Sequence, residues 1–433
     1  MINAKSFAQY QRAYHINEPH GHAFLLSLGY FIGGINNTTT YVVNSIIATM
    51  TVFVIFLLTY TLFKNQSIAL ISALFMGIMP RHIFFSGTGE NEVSSIFFVM
   101  LFLLFTFIVF SERKKNLYIL SLITLAYAMQ IRIENSVFIL IFMGLGIFDI
   151  YNSTKRKDIV KKLGISLLIF IIIISPLSYW ILNYGATRFM IWNVLKIESF
   201  KPDPIKGKEE HYPEYYKNVL SGNIKNFSSW FFKPSVHNPF ILALFFLSFL
   251  FIKEYKIEMI ILYSLIAIYA LIYILYYTGY FFRYIVYFNA PIAIISAFSL
   301  VKLTRLIKSK FQKHFLATLL GIILVSSGVF GYDMLKNHPI DTQEWFEIDY
   351  ITFSNEDYVT CMKYASLFQY GKWPRLTENK TQYFIYTDHE NNHPECPFYR
   401  KDINKSFDMK VIEEKETIIL YEITPKNLTS VVS

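Results

Sequence analysis

Charge is what this sequence has least of. Asp, Glu, Lys and Arg make up 16% of its 433 residues, where a soluble domain carries about 25%. Cysteine is nearly absent, at two residues, which excludes a disulfide-dense scaffold. There is no Gly-rich phosphate loop, no zinc-ligand spacing and no heptad repeat. The first forty residues lack a basic segment followed by an apolar one, so they do not read as a signal peptide. What fills the space is 54% hydrophobic and 18% aromatic residues. Stretches such as 41–63, 163–183 and 315–333 meet the requirement of roughly 20 mainly apolar residues for crossing a bilayer. The chain reads as an all-α polytopic membrane protein.

The net charge of +9 suggests a nucleic-acid partner until it is located. Three short loops, 111–116, 151–162 and 302–314, hold thirteen bases against two acids. Short basic loops between apolar segments mark the cytoplasmic side, so the charge is a topology signal and no nucleic acid is implied. Ten membrane helices are predicted, near 41–63, 66–80, 92–110, 117–131, 135–150, 163–183, 238–252, 259–279, 284–301 and 315–333. With the basic loops inside, residues 81–91, 132–134, 184–237 and 279–283 and the tail from 334 fall outside. Residues 1–40 fall outside as well, with a short surface helix expected over 22–35. We expect an earlier helix to precede them, which explains that placement better than a translocated N-terminal tail.

The polar tail, 334–433, has 11 bases and 16 acids. Its segments 383–388 and 416–424 alternate as strands do, so a small extracytoplasmic α/β domain is expected. Cys361 and Cys396 both lie in it, and a disulfide there would stabilise it by roughly 3–4 kcal/mol. Two buried thiols are the competing reading. The chain thus divides into an N-terminal outer segment (1–40), a multi-spanning domain (41–333) with an outer loop at 184–237, and the outer domain (334–433).

Within the stretch FFSGTGENEVSSIFF (84–98), Glu90 and Glu92 stand between apolar runs. Pro80 is expected to end one helix, 81–91 to be an outer loop, and the next helix to start near Glu92. Gly87 and Gly89 permit unusual backbone angles, which would let both carboxylates face one cavity. The competing reading is acids in a first helical turn, stabilised by the helix dipole by about 0.3–1 kcal/mol, with Ser86 or Thr88 as an ordinary cap. Other outer-face charges are Arg81, His82, Arg132, Glu134 and Arg283. Arg283 sits in an aromatic belt, where snorkelling to the headgroups is its alternative. Bases beside acids at the rim of a helix bundle suit a substrate with a lipid tail and a phosphate: Arg holds phosphate oxygens bidentately, and a carboxylate takes a proton from a hydroxyl. The acids also offer hard oxygen ligands to a divalent cation, Mg or Mn. His15, Glu18, His20 and His22 match no familiar metal spacing and read as an exposed loop.

The order of these parts resembles the GT-C superfamily of membrane glycosyltransferases, which includes dolichyl-phosphate-mannose protein mannosyltransferases and oligosaccharyltransferase catalytic subunits. The resemblance runs through EPHGHAFLLSLGYFIGG (18–34), MPRHIFFSGTGENE (79–92), AMQIRIEN (128–135), SPLSYWILNYG (175–185) and FFRYIVYFNAP (281–291). It implies inverting transfer of a sugar from a polyprenyl-phosphate donor to a protein, lipid or glycan acceptor at the outer face. Glu90 and Glu92 match the family's acidic pair after a Gly; Arg283-Tyr284 matches its Arg-Tyr pair. Arg81, His82, Arg132, Arg283 and Tyr284 become the expected phosphate-binding set. Two departures stand out. The acid that the family carries after its first helix would precede this start. No two tryptophans are adjacent, so the Trp-Trp-Asp motif of oligosaccharyltransferases is absent and transfer of a single sugar is favoured. The rival readings are a lipid-linked sugar transporter, which would show repeated halves with broken helices, and a surface-polysaccharide polymerase or ligase.

Overall fold

The computed structural model describes residues 20–112, 114–152, 156–183, 212–276, 284–337 and four strands between 358 and 425. Thirteen α-helices are described: α1 (Gly21–Gly33), α2 (Asn37–Phe63), α3 (Gln66–Ile78), α4 (Pro80–Ser86), α5 (Glu92–Ser111), α6 (Tyr118–Ile131), α7 (Phe138–Asn152), α8 (Arg156–Asn183), α9 (Tyr212–Phe231), α10 (Pro239–Leu247), α11 (Lys256–Tyr276), α12 (Asn289–Leu306) and α13 (Ser309–Asn337). Each of the ten predicted segments contains a described helix, with 277–279 of the segment near 259–279 lying outside the described residues. Among the described residues six helices are long and apolar enough to cross a membrane, or seven if α3 and α4, bent by 62°, form one span. The helix over 22–35 is α1.

Helices are the form these segments take because hydrocarbon offers the backbone no hydrogen-bond partner, so each segment must satisfy its own. Polar residues mark the starts. Asn36, Asn65 and Asn238 each accept a backbone N–H, from Thr39 (2.7 Å), Ile68 (3.1 Å) and Phe240 (2.9 Å). Pro80 is the first residue of α4 and holds Met79 extended, at φ −62° and ψ 121°. This breaks the span without ending the helical path: residues 80–86 are helix where a loop was expected. Helix α12 is the centre of the bundle, with every residue of its spanning window buried. It packs on α3 and α10, while α2 packs along α3 and α5, and α6 joins α5 to α8.

The two ends of the bundle differ in charge. At one end, Lys64 after α2 and Lys114 both reach Glu112 after α5, at 3.1 and 2.8 Å, and Lys115 pairs with Asp149 of α7 at 2.5 Å. These are the basic turns. The 20 residues of α5 span about 30 Å, and at its other end stand Glu92, Arg132 and the turn bearing Glu90.

The tail contains a four-stranded sheet: β1 (Tyr358–Thr360), β2 (Gln382–Thr387), β3 (Phe407–Lys415) and β4 (Ile418–Pro425), in the order β1-β2-β4-β3. β1 and β2 are parallel; β4 is antiparallel to both β2 and β3. Two of the strands are those predicted. Cys361 and Cys396 lie outside the described residues.

Helix α1 seats on the 118–131 helix through a close backbone approach. A Cβ at Gly21 would lie 2.8 Å from both the carbonyl carbon and oxygen of Gln130. Tyr127 donates to the Gly21 carbonyl at 2.8 Å. Gly21→Ala is therefore expected to lower stability by about 1–3 kcal/mol. Gly164→Ala, in the exposed interior of α8 with nothing within 4 Å, is expected to raise it by roughly 0.5–1 kcal/mol. Thermal unfolding of the two detergent-solubilised variants checks the opposite signs.

Candidate active site

Glu92 opens α5 and is fully buried. Its Oε1 accepts from Arg132 Nη2 at 2.5 Å. Arg132, at the end of α6, also donates Nε to Asn91 Oδ1 at 3.1 Å and Nη1 to Glu134 Oε1 at 3.5 Å. Its guanidinium carbon stands 4.8 Å from the centre of the Tyr284 ring and 5.9 Å from that of Tyr287, contacts that favour a cation over an aromatic face. Tyr273 stacks on Tyr284 with centroids 4.7 Å apart, and Tyr269 lies 4.9 Å from Tyr287. The short turn after Arg132 is tied to α5 by Asn135, whose Nδ2 donates to Ser95 Oγ at 2.8 Å.

Asn91 occupies the N-cap position of α5 yet makes no cap hydrogen bond; its side chain is given to Arg132. An N-cap of this type stabilises a helix by about 1 kcal/mol. Giving it up in favour of the guanidinium is what a site that must fix an arginine would do. Neither Ser86 nor Thr88 caps the helix: Thr88 Oγ1 donates back to Phe85 O at 3.1 Å.

The carboxylates, two positions apart, take different roles. Glu92 is locked inside against Arg132, whereas Glu90 is half-buried on the preceding turn. Glu92 thus takes the place of the competing reading, an acid in the first turn of α5, while Glu90 lies on the turn before it. The turn does not use glycine's special freedom: Gly34 is the positive-φ glycine among the described residues, and Gly87 has φ −93°.

The expected phosphate set divides. Arg132 and Tyr284 join the Glu92 cluster. Arg81 is buried among rings, its guanidinium 5.5, 5.9 and 5.4 Å from the centres of Phe84, Phe85 and Trp230. His82 faces α2, with Nε2 3.3 Å from Ala48 O. Arg283 lies outside the described residues.

Three contributors were not anticipated. Asn91 was hidden between the two acids that drew attention. Asn44 is the one amide within 41–63, where the other polar side chains are hydroxyls, and that was the available signal. His22 was read as part of an exposed loop; it is buried, with Nδ1 3.1 Å from Ser94 Oγ and Nε2 3.0 Å from Gly89 O. Burial pushes its imidazole down to about 4, against the opposing pull of the Gly89 carbonyl, so it is neutral at ordinary pH. The neighbouring His15 and Glu18 lie outside the described residues. Among the described residues no group of three or more His, Cys, Asp or Glu is arranged to hold a metal.

Residues 17–180 match the dolichyl-phosphate-mannose-protein mannosyltransferase family. Searched against curated proteins, the sequence has no match. The structure is similar to ArnT from Cupriavidus metallidurans bound to undecaprenyl phosphate, at 10% identity and TM-score 0.56, covering 97% of this chain and 92% of that one. It is also similar to the archaeal oligosaccharyltransferase AglB from Archaeoglobus fulgidus in complex with an inhibitory peptide and a dolichol-phosphate. That match has 12% identity and TM-score 0.53 and covers 85% of this chain and 58% of that one. At such identities the likeness is one of fold.

Proposed function

We propose that the chain is a membrane glycosyltransferase of the GT-C type, transferring a sugar from a polyprenyl-phosphate donor to an acceptor at the extracytoplasmic face. The observation that carries this reading is the placement of Glu90, beside the Glu92–Arg132 pair, at the bundle end opposite the basic turns. Ionisable residues gathered at one edge of a membrane bundle, where each must be paired or used, point to function.

In this proposal Glu90, the half-buried carboxylate on the turn before α5, takes the proton from the attacking acceptor hydroxyl. The acceptor oxygen forms its bond to the anomeric carbon as the bond from that carbon to the lipid phosphate breaks. The electron pair leaves with the phosphate. Arg132 is a poor receptor for that phosphate, because with Glu92 and Glu134 the trio sums to one negative charge. We assign the phosphate instead to Arg81 and Arg283, with Tyr284 at the border. His82 contributes less: if Nε2–H donates to Ala48 O, its Nδ1 presents a lone pair, which repels phosphate oxygen. Supporting the donor class are the ligands bound by the two proteins of similar fold, undecaprenyl phosphate and dolichol-phosphate.

A divalent cation on both carboxylates does not fit this donor set, since a guanidinium already occupies Glu92. What remains for Mg or Mn is Glu90 with water and substrate oxygens, a donor set that Mg accepts. A dependence on cation then predicts that EDTA stops transfer and added Mg or Mn restores it.

The test is transfer in membranes containing the chain, with polyprenyl-phosphate mannose labelled in the sugar. New bonds between label and acceptor support the reading. Label that crosses the membrane still attached to its lipid favours the transporter and overturns it.

A further inference from the structure

The turn that carries Glu90 is held from outside, carbonyl by carbonyl. Asn44 of α2 donates its side-chain amide both to Thr88 O and, at 3.0 Å, to Glu90 O. His22 of α1 holds Gly89 O at 3.0 Å, and Ser45 Oγ donates to Ser86 O, also at 3.0 Å. The turn's own bond from Glu90 N to Thr88 Oγ1 is long, at 3.4 Å. Asn44 is fully buried, and its Oδ1 has no hydrogen-bond partner among the described residues. Placing an amide inside a spanning helix costs free energy unless it is used, and this one spends its donors on the turn. His22 has one consistent arrangement: Nε2–H donates to Gly89, and Nδ1 accepts from the Ser94 hydroxyl.

We infer that Asn44 and His22 are positioning residues for the transfer, fixing the backbone of 88–90 so that the Glu90 carboxylate stands where the acceptor's proton is released. The inference rests on the reading of Glu90 as the base. A turn whose carbonyls at 88, 89 and 90 are held by α1 and α2 has lost the backbone rotation that would carry the Cβ of Glu90 away. Misplacing a reacting group by about 1 Å costs on the order of 100-fold in rate, so the effect falls on kcat.

The experiment is a double-mutant cycle on the full chain in membranes, with labelled polyprenyl-phosphate mannose as probe and kcat and KM read separately. Asn44→Ala is expected to lower kcat about 10- to 100-fold with little change in KM for the donor. In a Glu90→Gln background the same substitution is expected to cost less than about twofold, because residues acting through one another are non-additive. Asn44→Asp keeps the shape but cannot donate when ionised, so its kcat relative to the parent's at the same pH is expected to rise as pH falls and the protonated carboxyl regains one donor. His22→Gln, which keeps a donor near the Nε2 position, is expected to retain more activity than His22→Ala. An equal loss from Asn44→Ala in both backgrounds, or a change confined to KM, overturns the inference while leaving Glu90 in place. An unchanged rate in Glu90→Gln alone overturns the base assignment and this inference with it. Should Asn44→Ala fail to fold, the His22→Gln and His22→Ala pair is carried through the same cycle: a loss that shrinks in the Glu90→Gln background supports the inference, and an equal loss in both overturns it.

Discussion

Arg132→Ala is expected to destabilise the protein by about 3–5 kcal/mol, the range for removing one partner of a buried ion pair. The loss is large because Arg132 serves four neighbours at once: Glu92, Asn91, Glu134 and the Tyr284 ring. Without it Glu92, with no exposed side-chain surface, must take up a proton or remain a buried anion. Glu92→Gln is expected to cost less, since an amide oxygen still accepts from Nη2 and Glu134 still balances the guanidinium. Glu112→Gln, at the opposite end of α5 and about one-third exposed, is the control. Exposed pairs are screened by solvent and contribute little, so it is expected to stay near the parent. Unfolding followed by tryptophan fluorescence in detergent measures all three. An Arg132→Ala protein as stable as Glu112→Gln would show that the pair is not an anchor.

Glu90→Gln is expected to do the reverse: leave unfolding nearly unchanged and remove about 10²–10⁴ in turnover, the contribution typical of a positioned general base. The contrast follows from placement. Glu90 is half-buried on a turn held through its backbone carbonyls, and those bonds remain when its carboxylate becomes an amide of the same shape. A variant that turns over at the parent rate would pass the base to another residue. A variant that is both inactive and unstable would mean that the carboxylate supports the turn and does not merely use it.

How far the fold could be read depended on the kind of signal each element carries. The spans were legible because a stretch such as YVVNSIIATMTVFVIFLLTYTLF (41–63) allows no other solution in a bilayer. β2 and β4 were legible through their alternation. β3, FDMKVIEEK, was not, since its charges crowd together and disrupt the period. Pro80 was read as the end of a helix; it also begins one, and only the observed bend separates the two outcomes.

The site was half legible. Its residue types and its end of the bundle followed from charge placement, because acids and arginines at a membrane edge stand out against an apolar background. Pairing did not follow. Glu92 and Arg132 are forty positions apart, and the spacing of Glu90 and Glu92 gives no sign that one of them is fully buried against an arginine from another helix. His22 looked exposed because its histidine-rich surroundings are polar, while the carbonyl that it holds belongs to a turn 67 positions away. Such contacts are made by tertiary packing and leave no local pattern.

The proposed transfer requires the end of the bundle bearing Glu90 and Arg132 to face outward and the basic turns to face the cytosol. Thiol labelling tests it most directly, using Glu90→Cys and Lys114→Cys in intact cells with a membrane-impermeant maleimide, read by peptide mapping so that Cys361 and Cys396 are counted apart. The account predicts label at position 90 in intact cells and at position 114 only after the membrane is opened. Label at 114 but not 90 in intact cells would turn the bundle over and contradict it.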